Sequence, residues 1–228
     1  MSHQLEIDSV IKSFGRNRVL TDIYLRCETG DIVGILGSNG SGKSSLLKIL
    51  FGVERAEQKF IRIDGKIYEQ PYLINNEIAY LPQDSFIPRY MTLFDAVKCY
   101  LKNEDKVKLF FDDPVINFLQ YRKSTQLSGG ELRYFEIMLI LSLDVKFVLL
   151  DEPFNGISPV NIESVKEMII KSAQQKGIIL TDHDYRNVLD VVTQRYLLSD
   201  GGLKNIRDKE DLTLWGYMSE GMVEKLSF

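Results

Sequence analysis

Apolar residues follow two kinds of spacing along the chain, and these divide it into strand and helix segments. Leu5–Val10 alternates apolar with polar positions and Val19–Cys27 does so more weakly, which predicts antiparallel strands near the N-terminus. Farther along, short apolar runs predict buried strands, and apolar positions at helical spacing predict helices. The predicted strands are Asp31–Leu36, Phe60–Ile63, Ile78–Leu81, Lys146–Leu150, Gly177–Thr181, Arg195–Ser199 and Leu203–Ile206. The first predicted helix begins at Lys43 and is capped by Gly52. The others are Thr92–Phe111, after which Pro114 forces a break, Gly129–Leu143, Val160–Gln174 and Tyr185–Val192.

Strands that alternate with helices predict an α/β fold, in which helices cover both faces of a mainly parallel sheet. In this prediction the N-terminal strands form an antiparallel β subdomain, and a helical block near residues 92–125 is inserted into the parallel sheet. No linker, low-complexity tract or internal repeat interrupts the sequence. We therefore expect residues 1–228 to form a single domain, with a short inserted helical subdomain at about residues 84–142.

Composition and the length of the apolar runs argue against a nucleic-acid partner and against insertion into a membrane. The chain is 44% hydrophobic and 26% charged, with a net charge of −4 and no basic stripe, which argues against a nucleic-acid partner. Apolar runs such as Ile137–Leu141 are far shorter than the roughly 18 residues that span a bilayer, so we expect no direct membrane insertion. Residues 1–10 lack the apolar stretch of a signal peptide, and we expect a cytoplasmic protein. Cys27 and Cys99 have no metal-ligand spacing and are expected to be free and buried.

Residues 37–44, Gly-Ser-Asn-Gly-Ser-Gly-Lys-Ser, have the pattern of a phosphate-binding P-loop and lie between a predicted strand and a predicted helix. Glycines let the backbone turn its N–H groups toward phosphate oxygens, and the start of the helix adds positive potential. Lys43 is then placed to bridge the β- and γ-phosphates and Ser44 to bind Mg²⁺. This pattern predicts a P-loop NTPase core without separating an ATPase from a GTPase or a kinase. A Gly/Ser-rich turn that caps a helix is the alternative. The predicted nucleotide-binding residues here are Gly37, Ser38, Asn39, Gly40, Ser41, Gly42, Lys43, Ser44 and Ser45.

Asp151 and Glu152 close the apolar segment that begins at Phe147. Ligands of parallel α/β sheets bind at the carboxyl ends of strands, so both carboxylates are expected near the P-loop. Asp151 is placed to hold Mg²⁺ through water, and Glu152 to polarise the water that attacks the γ-phosphate. Two acidic residues that only solvate the start of a loop are the alternative.

Leu127–Glu131, Leu-Ser-Gly-Gly-Glu, carries the most specific signal in the chain. Ser128 and Glu131 form a helix capping box, but two glycines in the first turn cost about 1 kcal/mol each relative to alanine. Glycine is explained there if a ligand approaches the backbone closely. With the P-loop before it and the acidic pair after it, this segment resembles the signature of ABC-type ATPases, and the similarity extends over Leu127–Pro153. The resemblance implies ATP hydrolysis by two chains packed head to tail. Ser128, Gly129, Gly130 and Glu131 then contact the ATP bound by the opposite chain.

The same resemblance suggests roles for three further residues. Phe14 matches the aromatic residue that stacks on adenine, Gln83 the glutamine that senses Mg²⁺ and the attacking water, and His183 the histidine that contacts the γ-phosphate. Without the other motifs Phe14 is a core residue, Gln83 an ordinary loop residue and His183 a partly buried histidine. The predicted catalytic residues are therefore Lys43, Gln83, Glu152 and His183, and the predicted metal ligands are Ser44, Gln83 and Asp151.

Two features depart from the family pattern. Ser158 stands where the family usually places an Asp that helps to couple the two sites of the dimer. The interval from Gln83 to Ser128 is also short for the family, which predicts a trimmed helical subdomain. Since that subdomain receives the transporter in the family, the expected docking of a membrane partner is affected more than ATP hydrolysis.

The resemblance implies an ATP-binding and hydrolysing subunit, with ATP and Mg²⁺ as cofactors, that powers a membrane transporter. It would work as a homodimer or pseudo-dimer at the inner face of the cell membrane, held there by integral membrane subunits. Apolar residues after the glutamine could form the docking groove, namely Phe86, Ile87, Tyr90 and Met91. Two alternatives stay open: a soluble ABC ATPase that remodels a cytosolic assembly such as an iron–sulfur scaffold, and a non-hydrolysing nucleotide sensor, which Ser158 would suggest.

Overall fold

The chain folds into two β-sheets with helices packed against them, in a computed structural model that describes residues 2–183, 185–219 and 221. The first sheet is antiparallel and has the strand order β2-β1-β4-β5. Alternating positions of β1 and β2 are buried, as their sequence pattern predicts. Its strands are β1 Gln4–Phe14, β2 Asn17–Glu28, β4 Gln58–Ile63 and β5 Lys66–Ile67.

The second sheet contains five parallel strands and has the order β10-β9-β3-β8-β7-β6, with β10 antiparallel at one edge. Its strands are β3 Ile32–Leu36, β6 Ile78–Leu81, β7 Phe147–Asp151, β8 Gly177–Thr181, β9 Gln194–Ser199 and β10 Gly202–Asn205. Every residue of β3, β7 and β8 is buried, which accounts for their continuously apolar sequences.

Seven α-helices connect or flank the strands of the described chain. They are α1 Lys43–Phe51, α2 Leu93–Tyr100, α3 Glu104–Phe110, α4 Gly129–Leu141, α5 Pro159–Ala173, α6 Tyr185–Leu189 and α7 Glu210–Leu214. Helix α1 ends where the sequence predicts, because Gly52 takes a left-handed conformation and its N–H donates to Lys48 O. Helices α2, α3 and α4 all lie between β6 and β7 in the sequence, within the interval predicted as an inserted subdomain.

The parallel sheet has an apolar core on each face. Val33 and Ile35 of β3 pack in one core with α1 and the antiparallel sheet. Ile32 and Leu36 belong to the other core, which α2 to α5 cover. The predicted α/β fold, with a mainly parallel sheet, flanking helices and a separate antiparallel sheet, is confirmed.

The prediction of one helix over Thr92–Phe111 is wrong. The segment forms two helices, because the side chain of Asn103 accepts hydrogen bonds from the N–H groups of Asp105 and Lys106 and starts a new helix. Leu101 is buried in the break between them. Apolar residues continue at helical spacing through both helices, so the pattern alone did not reveal the break.

Three smaller expectations also need correction. Cys27 and Cys99 are both free, but only Cys27 is buried, and Cys99 is exposed on α2. The last predicted helix ends at Leu189 instead of Val192. Ile87 is buried and not part of an open groove. Across the described residues no helix combines the length and the apolar character needed to cross a membrane.

Candidate active site

The predicted P-loop joins β3 to α1. Gly42 is the N-cap of α1 and has a φ of 106°, a conformation that residues with a side chain rarely adopt. A Cβ atom at Gly42 would also lie 2.6 Å from Cγ1 of Val19 on β2. Only glycine therefore allows the chain to turn into the helix this close to the antiparallel sheet.

Lys43, the first residue of α1, is buried and directed back into the loop. Its Nζ donates to Gly37 O at 2.7 Å and to Ser38 O at 3.1 Å, which leaves the third proton of the ammonium for another acceptor. Burial lowers the pKa of Lys43, while the nearby carboxylates of Glu152, Asp151 and Asp182 oppose that change. A phosphate group at this position would supply the negative charge that stabilises the buried cation.

Five polar side chains converge on the predicted Mg²⁺ site. Asp151 is 1% exposed at the carboxyl end of β7. Its Oδ1 accepts from Ser44 Oγ at 3.0 Å and from Thr181 Oγ1 at 2.8 Å, and its Oδ2 accepts from the Tyr80 hydroxyl at 2.9 Å. Gln83 Nε2 donates to Ser44 Oγ at 3.2 Å. The structure thus brings together the three predicted metal ligands, Ser44, Gln83 and Asp151.

Glu152 follows Asp151 and turns toward His183. Its φ is 49°, and its N–H donates to Thr181 O at 2.8 Å. Its Oε2 lies 3.5 Å from Nδ1 of His183 and accepts from Asn155 Nδ2 at 3.4 Å. His183 is half exposed, and its Nδ1 is also 3.4 Å from Oδ1 of the buried Asp182. The carboxylate and the imidazole therefore meet at one edge of the site.

Five of these side chains border one cavity of about 690 Å³ at the carboxyl ends of the parallel strands, namely Lys43, Ser44, Gln83, Glu152 and His183. This position agrees with the binding position expected for an open α/β sheet. Phe14 lies at its rim, 52% exposed, with Lys12 Nζ 4.6 Å from the centre of its ring. The exposed ring face is available for stacking. The cavity is lined by Phe14, Asn17, Val19, Asn39, Gly40, Gly42, Lys43, Ser44, Ser45, Gln83, Glu152, Asn155 and His183.

The signature segment lies outside this cavity. Ser128 caps α4, and Glu131 completes the capping box by accepting from Ser128 N at 2.8 Å. The hydroxyl of Ser128 also donates to Glu131 Oε2 at 2.7 Å, and this hydrogen bond and the one from Ser128 N lower the pKa of Glu131. None of residues 128–131 lines the P-loop cavity, and Gly129 borders a neighbouring cavity of about 310 Å³ that also reaches Gln83 and Glu152. The chain by itself therefore presents the signature beside its own P-loop cavity and not inside it.

The residues of the P-loop cavity suit a nucleotide with Mg²⁺. Ser41 Oγ is buried, and no hydrogen-bond partner for it is found among the described residues. A buried hydroxyl of this kind is normally satisfied by a ligand, an ion or water. At the metal site the donors are hydroxyl, amide and carboxylate groups. Mg²⁺ is commonly bound by one or two such oxygens together with substrate phosphates and water.

Gly130 fits against the backbone of the loop after the acidic pair. A Cβ at Gly130 would lie 2.8 Å from Gly156 O, whereas a Cβ at Gly129 meets nothing within 4 Å. We expect Gly130→Ala to lower the free energy of unfolding by about 1–2 kcal/mol because the loop must move. Gly129→Ala should leave it unchanged or raise it by up to about 1 kcal/mol. Urea denaturation of both variants checks this, and equal effects would contradict the packing.

Sequence reasoning missed three residues that shape the site. Tyr80 and Thr181 hold Asp151, and Arg133 of α4 donates to the carbonyl oxygens of Asp151 and Glu152. Burial, followed by the charge of Asp151, raises the pKa of Tyr80, so its hydroxyl stays a donor. The position of Thr181 at the end of a strand was an available signal. The roles of Tyr80 and Arg133 depend on contacts between segments that are distant in the sequence, so the sequence alone does not indicate them.

Comparison with known proteins identifies relatives over most of the chain. The sequence model of the ABC transporter family matches residues 20–155. The lipopolysaccharide export system ATP-binding protein LptB of Haemophilus influenzae is 31% identical over 210 residues, which cover 86% of this chain and 87% of that protein. LptB of Escherichia coli K12 is 31% identical over 212 residues, covering 87% and 88%. A probable ABC transporter ATP-binding protein of Azorhizobium caulinodans is 29% identical over 216 residues, covering 88% and 76%.

Solved structures share the fold. The ATP-binding subunit of an ABC transporter superposes with a TM-score of 0.82 at 20% identity, covering 96% of this chain and 97% of that one. A nucleotide-free ATP-binding cassette from an ABC transporter superposes with a TM-score of 0.78 at 21% identity, covering 99% and 100%. At these identities the likeness supports the arrangement of strands and helices only.

Proposed function

Because the chain belongs to the ABC transporter family of ATP-binding proteins, we propose that two copies close around two MgATP and drive a membrane transporter. The chain is an ATP-binding and ATP-hydrolysing subunit of such a transporter. The observation that supports the proposed site most is the convergence of Lys43, Gln83, Glu152 and His183 on one cavity at the carboxyl edge of the sheet.

In this proposal each residue has a task that its position supports. Two protons of the Lys43 ammonium are donated to carbonyls of the loop, and Lys43 uses the third to contact the β- and γ-phosphates. Ser44, Gln83 and Asp151 would hold Mg²⁺, which when bound would offset the charge that develops on the phosphates. Glu152 polarises the attacking water, and His183 contacts the γ-phosphate beside it.

Phe14 stacks on adenine at the rim of the cavity. Main-chain N–H groups of the loop, from Gly37 to Ser45, surround the phosphates. The free hydroxyl of Ser41 is a further donor within this loop. These contacts fix the nucleotide in place, whereas Glu152 and Gln83 act on the water.

Each copy also supplies its signature to the ATP of the other copy. Ser128, Gly129, Gly130 and Glu131 lie at the N-terminal end of α4, which favours an anion, and the capping box engages the N–H groups of Ser128 and Glu131 but not those of the two glycines. Their position outside the chain's own P-loop cavity supports a site that two chains complete. Homodimers and pseudo-dimers with a related chain both satisfy this geometry.

Exposed aromatic residues of the inserted helical segment provide a surface for the membrane partner. Tyr90 and Tyr121 are 76% and 72% exposed, and Phe118 is 64% exposed. Aromatic side chains that are amphipathic and rigid are common anchors of protein interfaces. We place the subunit at the inner face of the cell membrane through this contact. Since several relatives are named for lipopolysaccharide export, an exporter of that type is the first partner to test.

Co-purification tests this proposal. A tagged chain should recover a stoichiometric multi-span protein from gently solubilised membranes. Tyr90→Ser combined with Tyr121→Ser should reduce the recovered partner at least tenfold, since truncation of central aromatic anchors costs on the order of 2 kcal/mol or more. Tyr24→Ser is the matched control, because Tyr24 is 53% exposed but lies on β2 of the antiparallel sheet. Recovery of only a soluble complex would overturn the transport role and favour a soluble remodelling ATPase.

A further inference from the structure

Two buried charges on α4 connect the signature helix to both loops that carry the predicted hydrolytic groups. Arg133 and Glu136 lie three residues apart, with Arg133 Nη1 3.8 Å from Glu136 Oε2, and their side chains are 8% and 2% exposed. Burying charges is unfavourable unless they are paired and fully hydrogen-bonded. Apolar residues of similar size often serve equally well when only packing is needed. The role of this pair is therefore indicated by what its polar atoms hold.

The guanidinium of Arg133 holds three backbone carbonyl groups at once. Nη2 donates to Asp151 O and, at 2.9 Å, to Glu152 O. Nη1 donates at 2.6 Å to the carbonyl of Pro82, the residue before Gln83. One planar group thus holds the backbone just before Gln83 and at Glu152, the two predicted water-activating residues.

Glu136 holds the other end of the glutamine loop. Its Oε1 accepts from Ser85 Oγ at 2.5 Å and from Phe86 N at 3.2 Å. Gln83 therefore lies between a residue held by Arg133 and residues held by Glu136. Burial raises the pKa of Glu136, while these hydrogen bonds and the Arg133 charge oppose the rise.

The backbone of Glu152 depends on this support. Its φ of 49° lies in the left-handed region, which a residue with a side chain keeps only when its surroundings hold it there. Its N–H is bound to Thr181 O, and its carbonyl accepts from Arg133. Arg133 is thus the charged side chain that holds Glu152 in this conformation.

We propose that Arg133 and Glu136 are positioning residues that transmit the position of the signature helix to Glu152 and Gln83 of the same chain. The inference rests on the proposed function, since it takes the start of α4 as the contact with the second copy's nucleotide. Gly129 and Arg133 are one turn apart on a single helix, so a displacement of its first turn also moves the carbonyls that Arg133 holds.

The connection through Arg133 and Glu136 is separate from the coupling Asp that the family usually places after the acidic pair. Ser158, which replaces the usual coupling Asp, is the N-cap of α5 and makes no side-chain capping hydrogen bond. The backbone of Gly156 lies against Gly130, so the loop and the signature helix move together. In each copy, helix α4 therefore connects the nucleotide bound by the partner's P-loop to Glu152 and Gln83, which act on the nucleotide in the copy's own P-loop.

Arg133→Lys is the test variant, because lysine keeps the charge but lacks the planar fork that reaches three carbonyls. We expect kcat for MgATP to fall by about 30-fold through misplacement of Glu152 and Gln83, with an unchanged Kd for a fluorescent ATP analogue. Glu136→Gln, which keeps an acceptor for Ser85 and Phe86, should lower kcat less.

Lys176→Met is the matched control. Lys176 is as buried as Arg133 and donates to Leu141 O at 2.8 Å and Leu143 O at 2.7 Å, at the opposite end of α4. Removing it breaks a comparable set of contacts without touching the loops of the site. We expect it to lower Tm but to leave kcat unchanged.

Four results are possible, and each decides for or against the inference. A loss of kcat in Arg133→Lys and Glu136→Gln, but not in Lys176→Met, supports the inference. If kcat instead falls in proportion to Tm in all three variants, the pair has only a structural role and the inference is overturned. A wild-type chain that is active while Arg133→Lys keeps its kcat would overturn this inference alone, whereas an inactive wild type would overturn the proposed function with it.

Discussion

Replacing Glu152 with glutamine should reduce kcat for MgATP hydrolysis by two to three orders of magnitude, while MgATP still binds. The substitution keeps the shape of the side chain and removes the charge that polarises water, and loss of a general base typically costs about 10²–10⁴-fold. Glu152 makes a long contact with Asn155 and lies 3.5 Å from His183, so no strong structural tie is broken. Phosphate release at saturating MgATP measures the change.

Glu163→Gln is a suitable control for this variant, because Glu163 is 75% exposed on α5 and remote from the cavity. It should keep the wild-type kcat. Glu152→Gln should also accumulate as an MgATP-bound dimer, because closure no longer ends in hydrolysis. An unchanged kcat would remove Glu152 from the mechanism. A wild type as inactive as the variant, even with its partner present, would favour the nucleotide sensor.

Replacing Lys43 with methionine should weaken MgATP binding by about 10- to 100-fold, since a buried charge-assisted contact with phosphate is lost. Ligand linkage makes this visible in unfolding experiments. At an ATP concentration 100 times the wild-type Kd, the wild type gains about 2.7 kcal/mol of stability, whereas a variant with a 100-fold higher Kd gains about 0.4 kcal/mol.

Lys48→Met controls for the loss of a positive charge on the same helix, because Lys48 is exposed and does not line the cavity. Its stabilisation by MgATP should equal that of the wild type. Equal stabilisation of Lys43→Met and the wild type would contradict the role of the loop, whatever the hydrolysis rates.

The sequence predicts the parts of this fold that local chemistry determines. Helix α1 begins at Lys43 and ends before Gly52 because glycine conformations determine both ends. The buried strands were found because fully covered strands are continuously apolar. The helix break before Asn103 was missed, because a capping residue can interrupt a segment whose apolar spacing remains helical.

Within the site, the motif residues were predictable and the connections between them were not. The P-loop and the acidic pair are contiguous in sequence, so their placement follows from one strand end each. Tyr80, which binds Asp151 from the neighbouring strand, and Arg133, which reaches from α4, depend on contacts between distant segments. Long-range contacts of this kind have no periodicity or spacing that a single sequence displays. The roles proposed for Phe14 and His183 remain predictions.

Turnover per chain, measured against the fraction of dimer, tests the central claim most directly. Dilution series of the wild type in MgATP should be assayed for phosphate release and for mass by light scattering on the same samples, with 26.2 kDa as the mass of one chain. Because Lys43 and Glu152 belong to one copy and Ser128 to the other, turnover should rise with the dimer fraction and vanish for the monomer. Constant turnover in samples that are entirely monomeric would contradict a site completed by two chains.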